Sequence, residues 1–102
     1  MLGFADIINN HACTAATTYT GALPNVASPP QITVAGAIST GTHGSGLHFP
    51  SFAAMVAEIE LVTADGAVLL LKRGQDELFN AAATAFGTLG VITSVTMDIV
   101  PE

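Results

Sequence analysis

The stretch VAEIELVTADGAVLLLK, residues 56–72, decides the fold. Ile59, Leu61 and Thr63 alternate with Glu58 and Glu60, the two-residue period of a strand with one wet face. Asp65-Gly66 can supply the positive φ that a hairpin turn needs, so the chain is expected to reverse there. The returning run, Val68 to Lys72, is apolar up to its last residue and is expected to be covered on both faces.

Downstream, Asp76 to Phe86 reads as an amphipathic helix with Leu78, Ala82 and Phe86 on one stripe and Asp76 as N-cap, ended by Gly87 and Gly90. In VITSVTMDIVPE, residues 91–102, a third strand follows: Val91, Thr93, Val95, Met97 and Ile99 face one way, and Ser94, Thr96 and Asp98 the other. Upstream, QITVAGAIST, residues 31–40, fits a short buried helix or a strand; the helix, capped by Thr33, is favoured by Val34, Ala37 and Ile38 at helical spacing and by small residues for close packing. Before it, ALPNVASPP (22–30) is a connector whose prolines fix φ, and Phe4, Ile7, Ile8, His11, Ala12 and Ala15 predict a first amphipathic helix. The expected fold class is α+β, a layer of at least three strands with helices against it.

The chain of 102 residues has room for one domain. Half of its residues are hydrophobic and a tenth charged, so apolar surface is expected to be covered, either in a homo-oligomer or within something larger. With a net charge of −6 and Lys72 and Arg73 as the only lysine and arginine, it lacks the cations that nucleic acid binding requires. The same scarcity means that a bound phosphate must be met by backbone N–H groups and hydroxyls. Cys13 stands alone, which rules out an internal disulfide and a cysteine metal cluster. No apolar run reaches membrane-spanning length, and the opening MLGFADIINNHAC lacks a basic region before its apolar residues; a cytoplasmic location is the expectation.

The most informative short motif is STGTHGSG, residues 39–46. Its G-x-x-G-x-G spacing has no lysine for a Walker loop, and it reverses the order of the Rossmann fingerprint. Gly41, Gly44 and Gly46 would let backbone approach a diphosphate closely, while Thr40, Thr42 and Ser45 add hydroxyls. Composition alone equally fits a plain turn between two elements. His43 has no second ligand at i+3 or i+4, so metal binding is not supported, and the serines show no nucleophile-elbow pattern.

Taken together, LPNVASPPQITVAGAISTGTHGSG, ELVTADG and GTLGVITSVTMDIVPE resemble the second half of the FAD-binding domain of the vanillyl-alcohol-oxidase-type flavoproteins. Within that group the chain is most similar to the alditol (xylitol) oxidases and the sugar-1,4-lactone oxidases. The resemblance runs from about Leu23 to Glu102 and is looser through the first helix.

The resemblance implies that residues 1–102 are the second subdomain of a PCMH-type FAD-binding domain, without the substrate domain. It implies FAD as cofactor, with Ser28, Thr33, Gly36, Thr40, Gly41, Thr42 and His43 along its diphosphate and ribityl chain, and Val91 at its adenine end. It further implies oxidation of CH–OH groups in sugar alcohols or sugar lactones, by a chain inactive when alone. No catalytic residue and no metal are assigned. The family's S-L-P-H-I-S stretch is here SPPQIT, residues 28–33, so Pro29 replaces a leucine and Gln31 a histidine. The segment LHFPSF, residues 47–52, is bulkier than its counterparts, and the histidine motif for covalent flavin attachment has no match. The alternative reading is a non-catalytic remnant, oligomeric or partner-binding, that uses no flavin.

Overall fold

A computed structural model describes residues 21–26 and 31–101. The expected first helix and the proline pair of the connector lie outside the described residues. From the hairpin outward, β2 (Val56–Val62) pairs antiparallel with β3 (Val68–Lys72) on one side and with β4 (Val91–Met97) on the other, giving the order β3-β2-β4. A second, two-stranded pairing joins β1 (Gly21–Ala22) to β5 (Val100–Pro101). The helical elements are α1 (Val34–Ser39), a 3-10 turn (Phe52–Met55) and α2 (Leu78–Ala82). This is the expected α+β arrangement.

The hairpin turn holds as read. The Thr63 N–H donates to the Ala67 carbonyl at 2.9 Å, and the Gly66 N–H donates to the Thr63 carbonyl at 2.9 Å. Of the turn residues only Gly66 takes positive φ, at 84°, and a Cβ there would meet open space. Asp65 pins the turn from its side chain, accepting from the Thr63 hydroxyl and the Ala67 N–H.

The core lies on one face of the sheet. Val56, Ile59 and Leu61 of β2 and Leu71 of β3 are buried there with Ala37 and Ile38 of α1, Phe52 and Met55 of the 3-10 turn, and Phe79, Ala82 and Ala83. A helix as short as α1 or α2 does not hold in water alone, so burial of this kind, roughly 1.5–3 kcal/mol per large side chain, is what keeps it folded.

Two bulges explain departures from simple alternation. Val56 pairs with Met97 and Glu58 with Thr96, leaving Ala57 as the extra residue; this is why Val56, Ile59 and Leu61 all face the core at unequal spacing. Glu60 pairs with Ser94 and Leu61 with Ile92, so Thr93 is extra on β4. The expected face of Val91, Thr93, Val95, Met97 and Ile99 is therefore corrected: Ile92, Val95 and Met97 pack on the core, while Val91, Thr93 and Ile99 are exposed. The Thr93 hydroxyl donates to the Glu60 carboxylate at 2.6 Å.

Two further expectations change. β3 is an edge strand with one open face: Val68 is 62% and Leu70 50% exposed, and of its residues only Leu71 is buried. The second helix is shorter than predicted and turned differently, burying Phe79, Ala82 and Ala83 in place of Leu78, Ala82 and Phe86. Asp76 does not cap it; its carboxylate accepts from the Lys72 N–H at 2.8 Å and fixes the turn after β3. Gly90, with φ 150°, leads into β4 so closely that a Cβ would stand 2.3 Å from the Val62 carbonyl oxygen.

Candidate functional site

Thr33 opens α1 from extended backbone, and its hydroxyl accepts from the Gly36 N–H at 3.2 Å, the N-cap that the sequence predicts. One and two turns on, Gly36 and Thr40 occupy the same helical face, clear of the buried Ile38. The Gly36 carbonyl accepts from the Thr40 N–H at 3.2 Å and from its hydroxyl at 2.8 Å. The Thr40 and Thr42 hydroxyl oxygens lie 3.3 Å apart. Thr33, Gly36, Thr40 and Thr42 thus form a hydrogen-bonded line along an accessible helix edge, with bare backbone at Gly36.

The end of α1 explains Gly41. Its φ is 67°, its N–H donates to the Ile38 carbonyl at 3.1 Å, and the Thr42 N–H donates to the Ala37 carbonyl at 2.9 Å. These two bonds are a Schellman motif, and the residue after the cap must then be left-handed, which glycine does at least cost. The expectation that backbone N–H groups at Gly41 approach a diphosphate is corrected accordingly: the N–H groups of Gly41 and Thr42 are committed to the helix. What the loop offers a ligand is the Thr42 hydroxyl, the exposed His43 ring and the glycine-rich backbone beyond it.

Neighbouring segments brace this loop. The Thr42 carbonyl accepts from the Phe52 N–H at 3.1 Å, anchoring the loop to the buried 3-10 turn. Asn25 donates to the Pro50 carbonyl at 3.4 Å and lies against Gly44, where a Cβ would come within 2.8 Å of its side-chain oxygen. The His43 Nδ1–H donates to the Gly44 carbonyl at 3.0 Å, which leaves Nε2 without a partner among the described residues.

The lysine and the arginine of the chain each pair with a carboxylate. Lys72 pairs with Glu58 across the hairpin at 3.5 Å, and Arg73 pairs with Asp98 at 2.6 Å. The line Thr33, Gly36, Thr40, Gly41 and Thr42 itself carries no lysine or arginine, only hydroxyls and backbone. Among the described residues no cluster of three or more His, Cys, Asp or Glu is placed to hold a metal ion, and no helix is long and apolar enough to cross a membrane.

Of the site residues read from the sequence, Thr33, Gly36, Thr40, Gly41, Thr42 and His43 come together on α1 and its C-terminal loop. Ser28 lies outside the described residues. Val91 stands apart at the start of β4, 68% exposed and paired with Val62. Sequence reasoning missed Thr84 and Phe86. The Thr84 methyl is 3.5 Å from where a Gly41 Cβ would sit, and the Phe86 N–H donates to the Ser39 carbonyl at 3.2 Å. Their signal was AFGT, residues 85–88, which reads as a turn once the helix is ended at Ala82.

A family profile described as "FAD binding domain" matches residues 8–72. The chain is 51% identical over 80 residues to an alditol oxidase of a Streptomyces species, covering 78% of this chain and 19% of that protein. It is 46% identical over 68 residues to an L-gulono-1,4-lactone dehydrogenase of Mycobacterium tuberculosis, covering 67% and 15%. The mouse L-gulonolactone oxidase is 38% identical over 82 residues, covering 79% and 19%. The chain spans about a fifth or less of the length of these relatives.

Proposed function

The chain belongs to the FAD binding domain family, and from that membership we propose that it holds FAD along the line Thr33, Gly36, Thr40, Gly41, Thr42 and His43. Ser28 would extend that line, with Val91 at the adenine end. In this reading residues 1–102 act as the second subdomain of a PCMH-type FAD-binding domain. The enzyme they serve is an oxidoreductase acting on CH–OH groups of sugar alcohols or sugar lactones. The names of the relatives support the substrate class, since alditol and gulonolactone enzymes are among them.

The observation that carries the reading is the accessible, cation-free line of hydroxyls beside bare helix backbone. With the Thr40 hydroxyl donating to Gly36, the Thr42 hydroxyl donates to Thr40, and it turns from that long 3.3 Å contact to donate to a phosphate or ribityl oxygen. Gly36 admits the close approach that a side chain would block. His43, held through Nδ1, offers Nε2. Bound FAD supplies the hydride-accepting ring, and this chain's residues bind and orient it. Alone the chain is expected to show no turnover.

The test is a visible absorption spectrum of the purified chain before and after addition of FAD and desalting. Retained flavin absorbance is expected, and Thr42→Val should weaken binding about tenfold, the worth of roughly 1.4 kcal/mol for one hydrogen bond. Gly41→Val is the poorer probe because it also breaks the cap of α1. A wild-type chain that stays colourless after desalting, and also when the family's N-terminal FAD-binding subdomain is supplied in trans, would favour the non-catalytic alternative, an oligomeric or partner-binding module without flavin.

A further inference from the structure

Residues 85–88 form a tight turn in which the Thr88 N–H and hydroxyl both donate to the Ala85 carbonyl, at 2.9 and 2.7 Å. Its two central residues, Phe86 and Gly87, have φ of 52° and 76°. Two left-handed residues in succession are the mark of a type I′ turn, whose first central position suits Asn, Asp or Gly. Here it is filled by phenylalanine, the one non-glycine residue of positive φ among those described. A bulky side chain in that conformation is strained.

Burial does not offset the strain, because Phe86 is 69% exposed. The aromatic ring therefore serves neither the turn nor the core. The turn is also fastened beside the candidate site. The Phe86 N–H is bound to the carbonyl of Ser39, the residue before Thr40, and Thr84 lies against Gly41. A strained, exposed aromatic residue bordering a nucleotide-binding line calls for a planar ligand group, since aromatic faces and bases stack.

We infer that Phe86 packs against the adenine ring of the bound FAD and helps to select a dinucleotide over FMN. The inference rests on the proposed function. Adenine is the assigned ring because Phe86 and Val91 share the segment leading into β4, and Val91 is proposed at the adenine end.

The test compares the wild-type chain with Phe86→Asn and Phe86→Tyr, measuring melting temperature without ligand and dissociation constants for FAD, ADP and FMN. Asparagine accepts the left-handed backbone, so Phe86→Asn is expected to melt at or above the wild-type temperature. It should bind FAD and ADP about tenfold more weakly and FMN unchanged, with Phe86→Tyr close to wild type. Equal FAD affinity for wild type and Phe86→Asn overturns the contact. Weakened FMN binding with ADP unchanged overturns the assignment to adenine. A wild-type chain that binds no FAD even with the family's N-terminal FAD-binding subdomain supplied in trans refutes the proposed function itself, and this inference falls with it.

Discussion

Arg73 holds Asp98 with one guanidinium nitrogen, Nη2, 2.6 Å from the carboxylate, while Nη1 donates to the Ala54 carbonyl at 3.0 Å. One side chain on the segment after β3 thus ties together the 3-10 turn and the end of β4, and the Arg73 N–H adds a bond to the Ala57 carbonyl at 3.0 Å. The loop of the candidate site is anchored on that same 3-10 turn through Phe52, so the clamp bears on the site as well as on the sheet.

Arg73→Ala is expected to destabilise the chain by about 1 kcal/mol, because the pair is half exposed and the carbonyl bond is lost with it. Arg73→Lys should recover only part, since an ammonium lacks the fork that reaches both acceptors. Urea midpoints of the two variants would measure this; equal midpoints for wild type and Arg73→Ala would show that the clamp contributes nothing.

Gly66 and Gly90 provide a controlled contrast. Both take positive φ, yet a Cβ at Gly66 meets open space and one at Gly90 meets the Val62 backbone. Gly66→Ala is expected to cost roughly 1 kcal/mol from conformation alone. Gly90→Ala should cost several times more, because backbone atoms of β2 cannot step aside. Circular dichroism during denaturation would rank them.

The helix cap can be tested separately from ligand binding. Thr33→Ala removes the acceptor of the Gly36 N–H and is expected to cost about 1 kcal/mol, with Thr33→Ser near wild type. Thermal melts without flavin would show the difference. A Thr33→Ala chain as stable as wild type would mean that burial of Ala37 and Ile38 alone sets α1.

Asp65 gives stability a pH dependence of known sign. The Thr63 hydroxyl and then the Ala67 N–H stabilise its charged form and hold its pKa below the ordinary 3.8. The unfolded chain therefore binds the proton more readily, and the contribution of Asp65 is complete above that ordinary value and disappears as pH falls through the lowered folded one. Asp65→Asn should flatten this part of the acid limb. Urea midpoints between pH 6 and about pH 2.5 would reveal it, and identical slopes for both chains would contradict the assignment.

Much of this fold is legible in the chain itself, for local reasons. The Glu58 to Thr63 alternation, the Asp65-Gly66 turn, the Thr33 cap and the glycine after α1 are each determined by neighbours a few residues away. The cation-poor composition is likewise legible in the chain, and the folded chain pairs Lys72 with Glu58 and Arg73 with Asp98. Tertiary structure decided what no local period records. Pairing with β2 set the extra residue at Thr93 and brought Ile92 to the core face in place of Val91. Packing against the sheet turned α2 onto Phe79 and ended it early, and the bond to Ser39 left Phe86 exposed beside the glycine loop. A bulge, a helix rotation and a strained turn each depend on contacts distant in sequence, and only the folded chain supplies those.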